Sequence, residues 1–202
     1  NNNSQEETTN VIKTEVIILC RLSRILFHQG ALKYGIQICD EAMNIVASSQ
    51  LQGDVVSSHV QITRGLALFS INDYDAAMNI FEEVCRIHGK ELLMLELEHP
   101  SNSNSFNSVV FLEDSMSLLG AATNSIAICA LQLKNINMSV YRLEMLILVN
   151  PVKYMTDAIV FNLCTLYDLS CSVSVCTKKK QVLKNVAEIY GITALNPKSY
   201  RL

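Results

Sequence analysis

The residues best suited to chemistry are seven cysteines and four histidines. Cys85 and His88 stand in a Cys-x-x-His spacing, followed by His99, a donor set that borders on a zinc site. Structural zinc takes four ligands, commonly from two closely spaced pairs. The second pair is missing and Cys85 closes a helical pattern, so no metal ligand is assigned. Cys20, Cys39, Cys85, Cys129 and Cys164 sit among apolar residues, where a reduced, cytosolic thiol serves as a small hydrophobe. Cys171 and Cys176 lie in a Ser-rich segment and are expected near the surface. The four histidines are scattered, and His28 and His59 fall on helical stretches where they read as satisfied surface or partly buried residues. The chain has no Walker-type G-x-x-x-x-G-K-S/T, no G-x-G-x-x-G, no H-E-x-x-H and no G-x-S-x-G. Glu82–Glu83 and Lys178–Lys180 read as solvated helix faces. No catalytic residue, cofactor site or metal site is assigned, and a non-enzyme is expected.

The elements that carry these residues follow from composition and periodicity. The 202 residues are 50 % hydrophobic and 17 % charged, enough to bury a core and too apolar for disorder. Sixteen Lys and Arg against 19 Asp and Glu give a net charge of −3, which excludes a partner held by phosphate neutralisation, so no nucleic acid is expected. Seven Gly and three Pro are too few turn residues for an all-β sandwich. Asn1–Asn10 reads as a polar tail, with no basic and apolar signal pattern behind it. The chain opens on Asn rather than Met, as a piece of a longer polypeptide would. Apolar stretches such as Glu15–Cys20 and Met145–Val149 fall well short of the roughly 20 residues that span a bilayer.

A repeat organises the rest. Gly65, Leu68, Tyr74, Ala77 and Phe81 lie at offsets 0, 3, 9, 12 and 16, the small, large, aromatic, small and large positions of a tetratricopeptide repeat. Small residues at Gly65 and Ala77 let two antiparallel helices approach, and the large ones fill the space around that contact. Asp73 is placed to cap the second helix. The same offsets give Ser23, Leu26, Leu32, Gly35 and Cys39, with Gly30 at the turn. They also give Ala127, Ala130, Ile136, Ser139 and Leu143, ended by Pro151. A last half-unit places Cys164 and Tyr167 on its first helix and spans Thr177–Tyr190 with its second, stopped by Gly191. Residues 11–202 are therefore expected to form a single all-α solenoid of tetratricopeptide-type hairpins, with a polar insertion at about 90–118. Within it HPSNSNSFNS reads as a loop, expected to be mobile around Asn102–Ser108, between apolar flanks that extend the neighbouring helices.

Such solenoids bind partners along their first helices. The lining positions, three before and one and four after the small residue, are Cys20, Arg24 and Phe27, then Ile62, Leu66 and Phe69. In the later units they are Asn124, Ile128 and Leu131, then Phe161, Thr165 and Asp168. Arg24, Phe27, Ile62, Leu66, Phe69, Ile128 and Leu131 are the candidate partner-binding residues. Leu66 and Ile128 stand where a co-chaperone's carboxylate clamp carries Asn, so an apolar helix of a partner suits this face better than an acidic peptide. The chain's own insertion or tail is the alternative occupant.

The closing segment, Phe161-Asn162-Leu163 through Tyr167-Asp168-Leu169, then Lys179-Lys180-Gln181, Leu183 and Val186-Ala187, resembles the C-terminal end of the family of subunit 12 of the transport protein particle (TRAPP) complex. So do Asn124–Leu133, Asn150-Pro151 and Asn72-Asp73-Tyr74. The resemblance implies a non-catalytic scaffold subunit that contacts other TRAPP subunits and, through them, a Rab GTPase and membranes. It implies a cytoplasmic protein, peripheral at ER–Golgi membranes, in early secretory traffic and autophagy. A generic tetratricopeptide adaptor for another partner's peptide or helix, as in co-chaperones, is the alternative.

Overall fold

The computed structural model describes residues 2–49, 51, 55–98 and 106–201, with the side chains of 7–49, 51, 55–89 and 117–201. Among these residues the α-helices are α1 (Asn2–His28), α2 (Leu32–Ser48), α3 (Val55–Ser70), α4 (Tyr74–Glu98), α5 (Phe106–Gln132), α6 (Ile136–Val149), α7 (Pro151–Tyr154), α8 (Asp157–Ser170) and α9 (Val173–Ile189). A 3-10 turn, Pro197–Tyr200, follows. The helices group into two units, Asn1–Ala122 and Thr123–Leu202.

In the first unit α1 pairs with α2 and α3 with α4, and α3 also packs on both α1 and α2. Val16 and Cys20 of α1, Ala42 and Val46 of α2, and Val56 and Val60 of α3 form one buried cluster. In the second unit α8 packs on α6 and α9, and the 3-10 turn lies against α8 and α9.

The small positions do what close approach requires. A Cβ added to Gly65 would lie 2.5 Å from the Phe81 ring, and one added to Gly35 would lie 2.6 Å from Phe27. In two hairpins a serine at a small position also bonds across the gap. Ser23 Oγ donates to the Gly35 carbonyl at 2.7 Å, and Ser139 Oγ donates to the Ala127 carbonyl at 2.7 Å. Both bonds are buried and join residues 12 apart, the spacing of the two small positions.

The turns repeat as well. Seven residues after the small position the backbone is left-handed, at Gly30 (φ 76°), Asn72 (φ 65°) and Lys134 (φ 62°). At each, two N–H groups fold back onto the first helix: Gly30 to Phe27 and Ala31 to Leu26, Asn72 to Phe69 and Asp73 to Leu68, Lys134 to Leu131 and Asn135 to Ala130. This double closure satisfies helix-end carbonyls, and glycine is the residue that adopts it without strain. The next residue caps the second helix where its side chain permits. Asp73 Oδ1 accepts from the Ala76 N–H and Asn135 Oδ1 from the Met138 N–H, both at 3.2 Å, while Ala31 has no side-chain acceptor.

Several expectations are corrected. The polar tail 1–10 is continuous with α1 from Asn2. The insertion is helical through Glu98 and again from Phe106, as its apolar flanks suggested, so the last three residues of the expected loop begin α5. Residues 99–105, including most of the stretch expected to be mobile and His99, lie outside the described residues. Helix α9 starts at Val173, not Thr177, and this turns Cys176 inward, where it is buried rather than near the surface. Lys180 is likewise buried, unlike the solvated face expected of the Lys178–Lys180 run.

Candidate partner-binding face

Five of the seven candidate residues lie in the first unit. Arg24 is half-buried and turned onto α3: its Nε donates to Thr63 Oγ1 and its Nη2 to the His59 carbonyl, both at 3.1 Å. Thr63 Oγ1 in turn donates to the His59 carbonyl at 2.9 Å. The guanidinium thus joins the first helices of two successive hairpins, and burial lowers its pKa from the usual value. Phe27 is half-buried over Gly35, at the seam between α1 and α2. Ile62 is buried. Leu66 and Phe69 are half-buried, and Phe69 meets Tyr74 edge to face at 5.1 Å between ring centres.

Ile128 and Leu131 belong to the second unit and are half-buried. They line a narrow cleft of about 60 Å³ with Leu143 of α6 and Asn162, Thr165 and Leu166 of α8. Asn162 Nδ2 donates to Asn124 Oδ1 at 2.8 Å, tying α8 to α5 across the same region. The walls are mainly aliphatic, so what this cleft can hold is an apolar side chain.

The lining positions of α8 already have an occupant. The guanidinium of Arg201 lies 5.3 Å from the Phe161 ring centre, donates to Thr165 Oγ1 at 2.9 Å, and pairs with Asp168 at 3.6 Å. Phe161, Thr165 and Asp168 are the three positions that the repeat register assigns to the face of α8. The tail is held at two points. Asp157 Oδ1 accepts from the Asn196 N–H at 2.8 Å and from Ser199 Oγ at 2.6 Å. Asp168 accepts from Cys176 Sγ at 2.9 Å and from Lys180 Nζ, which also donates to the Arg201 carbonyl at 2.9 Å. Hydrogen bonds from Ser199 and the Asn196 N–H hold the Asp157 carboxyl below its ordinary range. Those from Cys176 and Lys180, with nearby Arg201, do the same for Asp168. Residues 196–201 thus lie over the lining positions of α8.

Residues 192–202 carry no repeat pattern that predicts these contacts. A signal was present, since Asp157 and Asp168 are 11 residues apart, about three helical turns, and so share one face of α8. Two carboxylates on one face, with Lys180 and Arg201 downstream, mark a place where a segment can be pinned.

Cys39, Cys129, Cys164 and Cys176 are buried thiols. Desolvation pushes Cys39 up to about 12 and Cys129 and Cys164 up to about 11. Burial, then the hydrogen bond to Asp168, raises Cys176. A raised pKa keeps the thiol protonated, whereas the thiolate is the nucleophile and metal ligand. Cys85 is half-buried and His88 buried on α4, and among the described residues no three His, Cys, Asp or Glu side chains group as a metal site. No described helix is long and apolar enough to cross a membrane.

Among known proteins the chain is similar to mouse (Mus musculus) trafficking protein particle complex subunit 12, with 25 % identity over 175 residues. The match takes in 86 % of this chain and 18 % of that protein, so the chain spans less than a fifth of its relative. No protein-family model and no solved structure matches.

Proposed function

We propose that this chain is a tetratricopeptide-type helical scaffold of a TRAPP-like vesicle-tethering subunit and works by binding other subunits of that complex. One observation carries the reading: the likeness to a trafficking complex subunit runs over 86 % of the chain, and so covers most of the repeat. The repeat supports it, since every hairpin that has a small-residue seam also presents a first helix with apolar lining residues. In this reading the chain does no catalysis. Nucleotide exchange on a Rab GTPase falls to other subunits, and the chain reaches early secretory membranes through its neighbours. Leu66, Phe69, Ile128 and Leu131 are the docking residues, because they are apolar and half-buried, whereas Ile62 is buried and Arg24 and Phe27 serve the joints to α3 and α2.

The test is affinity purification of the tagged chain from cells, with and without Leu66→Glu or Ile128→Glu. TRAPP core subunits should co-purify with the parent chain. Each variant should reduce them at least tenfold while keeping parental helicity and melting. A purification that returns no TRAPP core subunit overturns the reading. Saturable binding of a free acidic C-terminal peptide in its place would support a generic adaptor instead.

A further inference from the structure

The repeat register exposes an anomaly on α1. Five residues before and two after the small position, the first helices carry Val60 and Ala67 in α3, Ala122 and Cys129 in α5, and Ile159 and Leu166 in α8. None of these six is more than 8 % exposed. In α3 the reason is visible: Val60 belongs to the cluster that α3 forms with the preceding hairpin, α1 and α2. The equivalent residues of α1 are Ile18 and Ile25, larger and more apolar than most of that set, and they are 58 % and 53 % exposed. Leu22 and Val11 are exposed with them, and the spacing 11, 18, 22, 25 is one stripe along the helix. A row of four exposed aliphatic residues on one helix is a surface that a soluble chain rarely leaves bare.

We infer that this stripe is the seat of a further helical hairpin, formed by the polypeptide directly ahead of Asn1, which stacks on α1 as the α1–α2 hairpin stacks on α3. Two observations choose this occupant over a second copy or an unrelated helix. Ile18 corresponds to Val60, which the preceding hairpin covers in α3, and Ile25 to Ala67, also buried, so the face continues an interface already present in the fold. The trafficking relative has more than four-fifths of its length outside the matched segment, which is ample chain for another hairpin. The same stacking explains why α1 carries Ile at both positions, where a terminal helix facing water would carry polar residues. The inference stands on the repeat register and does not depend on TRAPP membership.

The test uses the full natural polypeptide, purified alone, with Ile18→Cys or Ile25→Cys, and Tyr34→Cys as a control at an exposed position of α2. Thiol labelling is followed by mass spectrometry at the substituted residue. The expected result is labelling at positions 18 and 25 at least tenfold slower than at 34, unchanged on dilution from micromolar to nanomolar. Equal rates at the three positions would overturn the inference. Protection that fades on dilution would overturn it in favour of a second copy, and protection that needs an added partner would overturn it in favour of that partner. A polypeptide with no two-helix segment ahead of Asn1 refutes it outright.

Discussion

Three glycines with different surroundings on their helices test whether close approach holds the hairpins together. Replacing a helix-interior Gly by Ala gains about 1 kcal/mol from backbone entropy alone. Gly89, inside α4, has nothing within 4 Å of an added Cβ, so Gly89→Ala should raise stability by about 0.5–1 kcal/mol. At Gly65 the same Cβ meets the Phe81 ring at 2.5 and 2.6 Å, and Phe81 is fully buried, so the ring has no free space to swing into. Overpacking of this kind costs about 1–3 kcal/mol. The upper part of that range applies, and Gly65→Ala should lower stability by about 1–2 kcal/mol net. Gly35 falls between, because the Phe27 ring it would strike is only half-buried, although the Ser23 carbonyl also lies 3.2 Å from the added Cβ.

Urea unfolding followed by circular dichroism measures all three. Phe81→Leu supplies the control, since it shortens the side chain that Gly65→Ala would strike. In that background Gly65→Ala should become neutral or stabilising, and the coupling should approach 2 kcal/mol, as expected of residues in contact. Gly65→Ala as stable as Gly89→Ala would refute the close-approach account, and with it the reading of the small positions.

Ser23→Ala and Ser139→Ala each remove a buried cross-hairpin hydrogen bond, and each should cost about 1 kcal/mol in the same assay. Asp168→Ala strands the buried Lys180 ammonium and frees Arg201; breaking a fully buried pair costs about 3–5 kcal/mol, but the Asp168 side chain is more than a third exposed, so a loss of about 1–2 kcal/mol is expected. Hydrogen exchange over residues 196–201 should rise in that variant while α1–α4 stays protected. Asp157 and Asp168 are both held below their ordinary range in the folded state, so their contribution is complete above the unfolded carboxylate pKa and is lost as pH falls through the lower, folded values. Asp157→Asn with Asp168→Asn should therefore flatten the acid limb of the stability profile, read as melting temperature from pH 6 down to pH 2.

Much of the scaffold was legible because it depends on local rules. Small residues 12 apart, an aromatic nine residues on, and Asp73 before Tyr74 are all sequence patterns, and Ser23, Gly65, Ala77, Phe81 and Asp73 stand where those patterns require. The turn was legible at Gly30 and at Asn72–Asp73, since Gly and Asn adopt the left-handed region readily. Asn72 and Lys134 adopt the same left-handed conformation, but a Lys there carries no sequence signal, because the two backbone bonds of the turn rather than residue preference hold it. The face of α8 was less legible. Its residues were assigned correctly to one side of the helix, yet what covers them comes from residues 33–40 positions away, and nothing local to Phe161, Thr165 or Asp168 announces Arg201. The inward turn of Lys180 was missed for the same reason: its partners are an acid one helix back and a carbonyl in the tail.

The first helices therefore differ in how much of their face is left to give. In α8 the tail takes Phe161, Thr165 and Asp168, with two carboxylates fixing it in place. In α1, Arg24 and Phe27 serve the joints to α3 and α2. Among the described residues, α3 and α5 each carry two apolar, half-buried lining residues, Leu66 and Phe69 in one and Ile128 and Leu131 in the other. These side chains have already lost part of their hydration, so covering the remainder with a partner's apolar residues orders little that is not already ordered. On the proposed reading, burial of that kind suits a lasting subunit contact. A clamp for a peptide carboxylate would need charged or amide side chains at Leu66 and Ile128, and neither residue carries one.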